Sequence, residues 1–194
     1  MIRAENITCP NCGAPWTLDM KECPYCHNDV VISTFNSVYE MSAPEANKYA
    51  NTYKKVLAAE PGNIEVLSSI AMCYLKLKLY DKALVAFEKA IEADFDNSET
   101  YFYAAVCLLR GKKAFLAQRS DINKVLEYID AATMIEPRGI YYYFMAYVKY
   151  DYFERKYLNT TPNYHDCLQM AMEYGVSETD ITILCNTLGV SRPF

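Results

Sequence analysis

Four cysteines near the start of the chain have the type and spacing needed to bind a metal ion. They form two C-x-x-C pairs, Cys9-Pro10-Asn11-Cys12 and Cys23-Pro24-Tyr25-Cys26, separated by ten residues. A two-residue gap lets a tight turn direct both thiolates at one point, and two such turns complete a tetrahedron. The spacing therefore predicts one structural Zn²⁺ site with the ligands Cys9, Cys12, Cys23 and Cys26.

Two other interpretations of these cysteines are two disulfides and a thioredoxin-like redox pair. A redox C-x-x-C needs a surrounding α/β domain, and a segment of about 30 residues cannot supply one. His27 directly follows Cys26 and is an alternative ligand, although four thiolates already complete a tetrahedral site. The duplicated pair favours metal.

The segment around the cysteines is expected to contain short β structure, with a hairpin beginning at residues 16–18 and a closing strand at residues 30–32. Gly13 follows the first pair, where a turn needs a positive φ. The two C-x-x-C pairs resemble the short zinc-ribbon family seen at the N-termini of many bacterial proteins, over residues 5–32. Members of that family bind nucleic acid, bind protein partners or serve stability alone.

Charge argues against nucleic acid as the partner. The chain has 19 basic and 24 acidic residues, a net charge of −5. Residues 1–30 contain two basic and four acidic side chains, and a tetrathiolate zinc adds further negative charge. An acidic module releases few counterions from a phosphate backbone, so nucleic-acid binding is not expected.

The remaining chemistry-bearing residues do not form a recognisable catalytic set. The six glycines are isolated from one another, which excludes a glycine-rich phosphate loop. His165 and Cys167 are two residues apart, so they do not share a helical face. Cys73 and Cys107 lie beside predicted core positions. We therefore expect no catalytic residues and a protein that is not an enzyme.

The composition indicates a folded, cytoplasmic protein. The chain has 194 residues, of which 52% are hydrophobic and 22% charged, so a packed core is feasible. No apolar run reaches the roughly 18 residues of a membrane span, and the first residues carry no apolar signal core.

From about residue 44 onward the pattern is helical and repeats. Residues 53–63 and 87–97 align at an offset of 34 residues, from Tyr53 to Phe87 and from Asn63 to Asn97. A third similar ending, residues 129–139, follows after 42 residues, which is the same period with an insertion of eight.

A 34-residue helix–turn–helix period resembles the tetratricopeptide (TPR) family, over residues 45–175. The best unit is 64–97, unit 98–139 has an enlarged turn at residues 111–120, and unit 140–175 is degenerate. The predicted fold class is mainly α, a TPR-like helical solenoid with a small N-terminal β zinc ribbon.

The domains expected from this pattern are a ribbon at 1–32, a linker at 33–43, helical repeats at 44–175, and a C-terminal capping helix and tail at 176–194. Because the linker is polar, the ribbon and the repeats are expected to bury their apolar residues separately. Ser177 is expected to cap the last helix.

The first helix of each TPR unit lines a concave groove. The resemblance therefore implies a partner-binding groove made of Met72, Leu75, Lys76, Phe102, Val106, Leu109, Arg110, Tyr141, Phe144, Val148 and Tyr152. Such an apolar and aromatic groove suits an amphipathic helix or a hydrophobic peptide. Lys112, Lys113 and Arg119 in the enlarged turn form a small basic patch, which is either a solvated loop or a contact for an acidic partner.

Residues 141–144 place aromatic side chains all round their helix, so some of them need a cover. The sequence leaves several covers open. These are the chain itself, through its C-terminal helix or enlarged turn, a partner protein, a second copy in a homo-oligomer, and a small molecule.

These observations favour a non-catalytic protein–protein interaction adaptor with a protein or peptide partner and no membrane partner. The alternative is a transcription or translation regulator whose ribbon contacts nucleic acid. A third class is an enzyme accessory protein with a hidden pocket.

Overall fold

A computed structural model describes residues 8–17, 20–32 and 34–194 of the chain. The chain divides into two compact units, Met1–Phe95 and Asp96–Phe194. Helices make up most of the described part of both units, so the predicted mainly α class is confirmed. Among the described helices, none is both long enough and apolar enough to span a bilayer.

The first unit consists of helical hairpins. Its helices are α1 (Phe35–Tyr39), α2 (Ala43–Ala59), α3 (Ile64–Lys76) and α4 (Tyr80–Ala93), with α3 packed against both α2 and α4. The apolar positions that the sequence assigns to one face are buried, among them Ile70 and Ala71 on α3 and Ala83, Phe87 and Ala90 on α4. This burial of one face stabilises helices that would be marginal alone.

The second unit repeats the hairpin arrangement and adds irregular turns. Its α-helices are α5 (Ser98–Leu108), α6 (Arg119–Ile135), α7 (Gly139–Val148), α8 (Tyr164–Glu173) and α9 (Glu178–Leu188). Helix α5 packs on α6, and α7 contacts α6, α8 and α9. A 3₁₀ turn (Ala114–Leu116) lies between α5 and α6, and a π-helical segment (Lys149–Phe153) extends α7.

Asparagine side chains at the 34-residue period cap the helices that begin the repeats. Asn63 accepts a hydrogen bond from the Val66 N–H at 3.1 Å, and Asn97 accepts one from the Thr100 N–H at 3.2 Å. Each bond satisfies an N–H that the helix leaves unpaired at its start. The 34-residue period in the sequence is therefore the spacing between two helix caps, at Asn63 and Asn97.

The next repeat begins with glycine because two stretches of backbone approach each other closely. A Cβ at Gly139 would lie 2.7 Å from the Ala171 carbonyl oxygen and would also collide with the backbone nitrogen of Val176. Only glycine leaves room for this approach between the start of α7 and both the last turn of α8 and the residues that follow it.

The predicted β ribbon is not shown by the described part of the chain. Residues 8–17 and 20–32 contain two isolated antiparallel bridges, Thr8 with Pro15 and Glu22 with Asp29, and no strand. The hairpin expected to begin at residues 16–18 falls partly outside the described residues. The closing strand expected at 30–32 is absent: the Val30 N–H donates to the Lys21 carbonyl at 2.8 Å, while the Val30 carbonyl and the Ile32 N–H bond to helical side chains.

Residues 29–32 pack directly onto α2 and α3. The hydroxyl of Tyr53 donates to the Val30 carbonyl at 2.9 Å, and that of Tyr49 donates to the Asp29 carbonyl at 3.3 Å. The Ser69 hydroxyl accepts the Ile32 N–H at 3.1 Å and lies 3.0 Å from the Ile32 carbonyl oxygen. The cysteine segment and the repeats therefore share buried contacts, which differs from the expectation that each buries its residues separately.

The segment expected to be a linker, residues 33–43, contains α1, whose Phe35 and Val38 are buried and which packs on α3. The polar residues of this segment suggested a solvated link, but Phe35 and Val38 lie three positions apart and share one face. The domain boundaries expected from the sequence stay predictions.

Replacing Ser69 with alanine is expected to lower the free energy of unfolding by about 1–3 kcal/mol, because it leaves the buried Ile32 N–H without its acceptor. Chemical denaturation followed by circular dichroism measures the change. Ser68→Ala on the same helix, at a half-buried position, is the matched control. Equal stability of the two variants would show that the Ser69 bonds do not hold residues 29–32 in place.

Candidate functional site

The two C-x-x-C pairs form two turns with the same backbone hydrogen bonds. In the first turn the Gly13 N–H donates to the Cys9 carbonyl at 2.9 Å, and the Cys9 N–H donates to the Ala14 carbonyl at 2.8 Å. In the second turn the corresponding bonds run from His27 to Cys23 at 2.9 Å and from Cys23 to Asn28 at 3.0 Å. Each turn therefore directs its two cysteine thiols to the same side of the turn.

The four sulfur atoms converge on one point. All four Sγ atoms lie within 4.8 Å of one another, with 3.8 Å between those of Cys9 and Cys26 and 3.6 Å between those of Cys12 and Cys23. A tetrahedral ion with metal–sulfur bonds of about 2.3 Å needs sulfurs about 3.8 Å apart. The spacing is far longer than a disulfide bond of about 2 Å. The cysteines therefore fit a four-coordinate metal.

The donor set also fits chemically. A backbone hydrogen bond from Asn28, followed by a side-chain bond from Asn11, lowers the pKa of Cys26 to about 6, which favours the thiolate that a metal ion requires. Against a lowering backbone bond from Ala14, burial and the neighbouring cysteines raise the pKa of Cys12 to about 12. Burial raises the pKa of Cys9. Cys9 and Cys23 are buried, whereas Cys12 is exposed, so the centre lies at the surface of the unit.

His27 is not part of the cysteine cluster. Its Nδ1 lies 3.0 Å from Oε1 of Glu22, and both side chains are exposed. The backbone of His27 has φ 56°, which corresponds to φ 77° at Gly13 in the first turn. His27 therefore occupies the same turn position after the second pair that Gly13 occupies after the first. Among the described residues, the structure brings together only the four cysteines as possible metal ligands.

The other cysteines are buried and separate from this centre. Cys73, Cys107, Cys167 and Cys185 are all buried. Burial raises the pKa of Cys73 to about 12 and that of Cys167 to about 11. Such thiols stay protonated at neutral pH and are poor nucleophiles.

The residues expected to line a partner-binding groove are mostly buried. Met72, Leu75, Phe102, Val106, Leu109, Tyr141, Phe144, Val148 and Tyr152 are all buried, whereas Lys76 is half-buried and Arg110 is exposed. In the second unit, the ring of Phe102 packs 4.8 Å from Tyr141 and 5.7 Å from Phe144. These aromatic residues therefore belong to the core of that unit, and their role in a groove stays a prediction.

The chain itself covers the aromatic side chains of α7. Tyr142 stacks on Tyr174 at 5.1 Å, and the Phe194 ring lies 5.8 Å from that of Tyr143. Phe194 also packs against Tyr150 and Tyr164. Among the covers for these rings that the sequence leaves open, the structure shows one, which is the C-terminal part of the chain itself.

A cleft that sequence reasoning missed lies between α2 and α4, above α3. Its volume is about 600 Å³, and its apolar lining comes from Leu57, Leu67, Ile70, Val85 and Ala86. Three lysines and one carboxylate also line it, namely Lys54, Lys82, Lys89 and Asp81. Val85 was a possible signal, since it is an apolar residue on the otherwise polar side of α4, and 54% of it is exposed.

The repeats and the cleft define a helical scaffold of the TPR-like class. The sequence model of the tetratricopeptide repeat family matches residues 64–97, which contain α3 and α4. No curated protein matches the sequence.

Two solved structures have a similar fold. The structure titled MamA AMB-1 P212121 shares 18% identity and a TM-score of 0.51, over 75% of this chain and 82% of that one. The structure titled MamA MSR-1 C2 has the same identity and TM-score, over 72% of this chain and 82% of that one. At this identity the likeness shows the fold alone, and with the repeat match it confirms the TPR-like helical solenoid class.

Truncating Phe144 to alanine is expected to lower the free energy of unfolding by about 3–5 kcal/mol, because the side chain is fully buried. The exposed Phe95, changed to alanine, is the matched control and should cost less than about 0.5 kcal/mol. Urea denaturation of both variants measures the difference. Little loss at Phe144 would indicate a surface residue that is free to bind a partner.

Proposed function

We propose that the protein is a non-catalytic protein–protein interaction adaptor, in which a structural Zn²⁺ orders the N-terminal segment and a TPR-like repeat binds the partner. The observation that carries the proposal is the apolar α2–α4 cleft with its lysine rim. Repeat proteins of this class bind partners on surfaces made by successive helices.

Zinc is the metal that the four cysteines suit best. A tetrahedral set of four thiolates is typical of structural zinc and leaves no coordination position for a substrate. A segment of this size buries too little surface to fold alone, and zinc binding supplies the missing free energy. Its role would be to hold the two cysteine turns together beside residues 29–32, which Tyr49, Tyr53 and Ser69 contact.

Purified protein is expected to contain one zinc per chain, because Cys9, Cys12, Cys23 and Cys26 form one cluster. Elemental analysis without added metal measures the ratio. Cys12→Ser and Cys23→Ser should each lose most of the zinc, whereas the matched control Cys185→Ala should keep it. Metal-free protein with these thiols paired as disulfides would refute the assignment.

The partner that best fits the cleft is an amphipathic helix with an acidic edge. The apolar side chains Leu57 and Val85 would contact the apolar face of such a helix, above the buried Ile70. Three lysines against the single carboxylate of Asp81 give the cleft a positive rim, which complements acidic residues flanking that face.

The groove predicted from the sequence is a separate proposal for the same function. Its apolar members are buried, so Lys76 and Arg110 are the members that a partner can reach without a rearrangement. In the cleft, Val85 is 54% exposed and Leu57 is half-buried, so a partner reaches these two side chains without a rearrangement, and the buried Ile70 lies beneath them. We therefore place the partner in the cleft.

Val85→Glu is expected to weaken binding of a synthetic Leu/Glu amphipathic helical peptide by about tenfold or more, because it puts a charge in the apolar contact. Titration calorimetry measures the affinity. Met134→Glu, at an α6 residue that is 86% exposed, is the matched control and should leave the affinity unchanged.

A scrambled peptide of the same composition should not bind, since it lacks a continuous apolar face. Equal affinity of the Val85→Glu and Met134→Glu variants would exclude the cleft. Loss of binding on Arg110→Glu with retention in Val85→Glu would instead place the peptide in the groove predicted from the sequence.

A further inference from the structure

The enlarged turn between α5 and α6 is held in a defined conformation. Ala114 is fully buried, and its N–H donates to the Tyr147 hydroxyl at 3.1 Å. The next N–H, that of Phe115, donates to Oδ2 of Asp151 at 2.8 Å. An insertion of this kind costs conformational entropy to order, so its fixed shape indicates more than a connection between two helices.

Asp151 is the charged group that, beside the Tyr147 hydroxyl, holds this turn. It lies in the π-helical segment, is 5% exposed, and is paired with the guanidinium of Arg155 as well as with the Phe115 N–H. A π-helical turn is uncommon and is found frequently at functional sites.

Cationic side chains gather over the aromatic rings of the same region. The Phe115 ring centre lies 4.8 Å from the Arg155 guanidinium and 4.9 Å from the Lys156 ammonium. Lys156 is also 3.7 Å from the Tyr152 ring, and Arg119 lies 4.8 Å from the Phe153 ring. The negative faces of the aromatic rings attract these cations, and this attraction offsets the repulsion between their like charges.

The balance of charge here is opposite to that of the whole chain. Residues 111–119 contain three basic side chains and no acidic one, in a protein of net charge −5. Of the nearby carboxylates, Asp151 is buried and Asp121 lies 3.8 Å from Arg110, while Glu154 is exposed. Helix α6 begins at Arg119 with no side-chain cap, so its positive end adds to the field.

We propose that the exposed turn lysines Lys112 and Lys113, together with Arg119, Arg155 and Lys156 of the same region, form a cationic face that docks an acidic peptide segment of a partner protein. Insertions in repeat proteins map to loops on one face, which is often the binding face. Exposed Leu116 (68%) and Tyr157 (97%) lie beside these cations in sequence and offer apolar contacts to peptide side chains. The negative charge of the rest of the protein disfavours a nucleic acid.

The cationic face belongs to the second unit and does not depend on the α2–α4 cleft of the first. Its test uses the full chain and fluorescein-labelled octaglutamate, with binding followed by fluorescence anisotropy at low salt. Lys112→Glu/Lys113→Glu changes exposed side chains of the turn, while the turn itself is held through the backbone of Ala114 and Phe115. The fold should therefore survive, and circular dichroism checks it.

The matched control is Lys48→Glu/Lys55→Glu, which changes the net charge equally at exposed positions of α2. We expect about tenfold weaker binding for the double variant of the turn and less than about twofold for the control. Arg119→Gln, a second variant outside the turn lysines, should also weaken binding.

Equal weakening by both double variants would overturn the proposal, since net charge alone would then explain the binding. Failure of octaglutamate to bind the unmodified protein would also overturn it. Tighter binding of octathymidylate than of octaglutamate, lost in Lys112→Glu/Lys113→Glu, would assign the face to phosphate and not to an acidic peptide.

Discussion

Buried backbone groups outside regular secondary structure must find hydrogen-bond partners, and this constraint shapes the first unit. Residues 29–32 form an isolated bridge, from Asp29 to Glu22, but no regular strand. The hydroxyls of Tyr49, Tyr53 and Ser69 take the place of a neighbouring strand. Because these hydroxyls come from α2 and α3, the position of the cysteine centre depends on the packing of the helical hairpin.

The parts of the fold that could be predicted from the sequence are those set by neighbouring residues in the chain. Helix period and caps are local, so Ser177 is predicted as a cap residue from its neighbours in the chain, whereas Asn63 and Asn97 are seen only as matching positions of the repeat and their capping role comes from the structure. The cysteine cluster was also predictable, since a C-x-x-C turn is local and the two turns have the same sequence form.

Contacts between distant segments could not be predicted in this way. Nothing near Ser69 in the sequence indicates that its hydroxyl bonds to Ile32. The resemblance to TPR repeats placed Phe102 and Phe144 in a groove, but helical spacing alone does not distinguish a groove from a core. Tyr141, which lies 4.8 Å from Phe102, helps to close that core. The α2–α4 cleft was missed because it needs three helices in place.

Charge is distributed unevenly on this acidic protein. Lysines line the α2–α4 cleft of the first unit, and Arg119, Arg155 and Lys156 surround aromatic rings in the second. The two surfaces differ in kind, since the first has an apolar floor, whereas the second has charges beside aromatic rings, one of which, Arg155, is paired with the buried Asp151. Screening by salt would therefore affect the second more strongly.

The backbone approach at Gly139 has a consequence for redesign of the repeats. Consensus substitutions commonly stabilise repeat proteins, because each repeat is a copy of one structural unit. Copying the cap pattern of the earlier repeats into the last one would bring a larger side chain next to Ala171 and Val176, where a single added carbon already collides. Averaging the repeats would therefore replace Gly139, the residue that permits this close approach of the backbone.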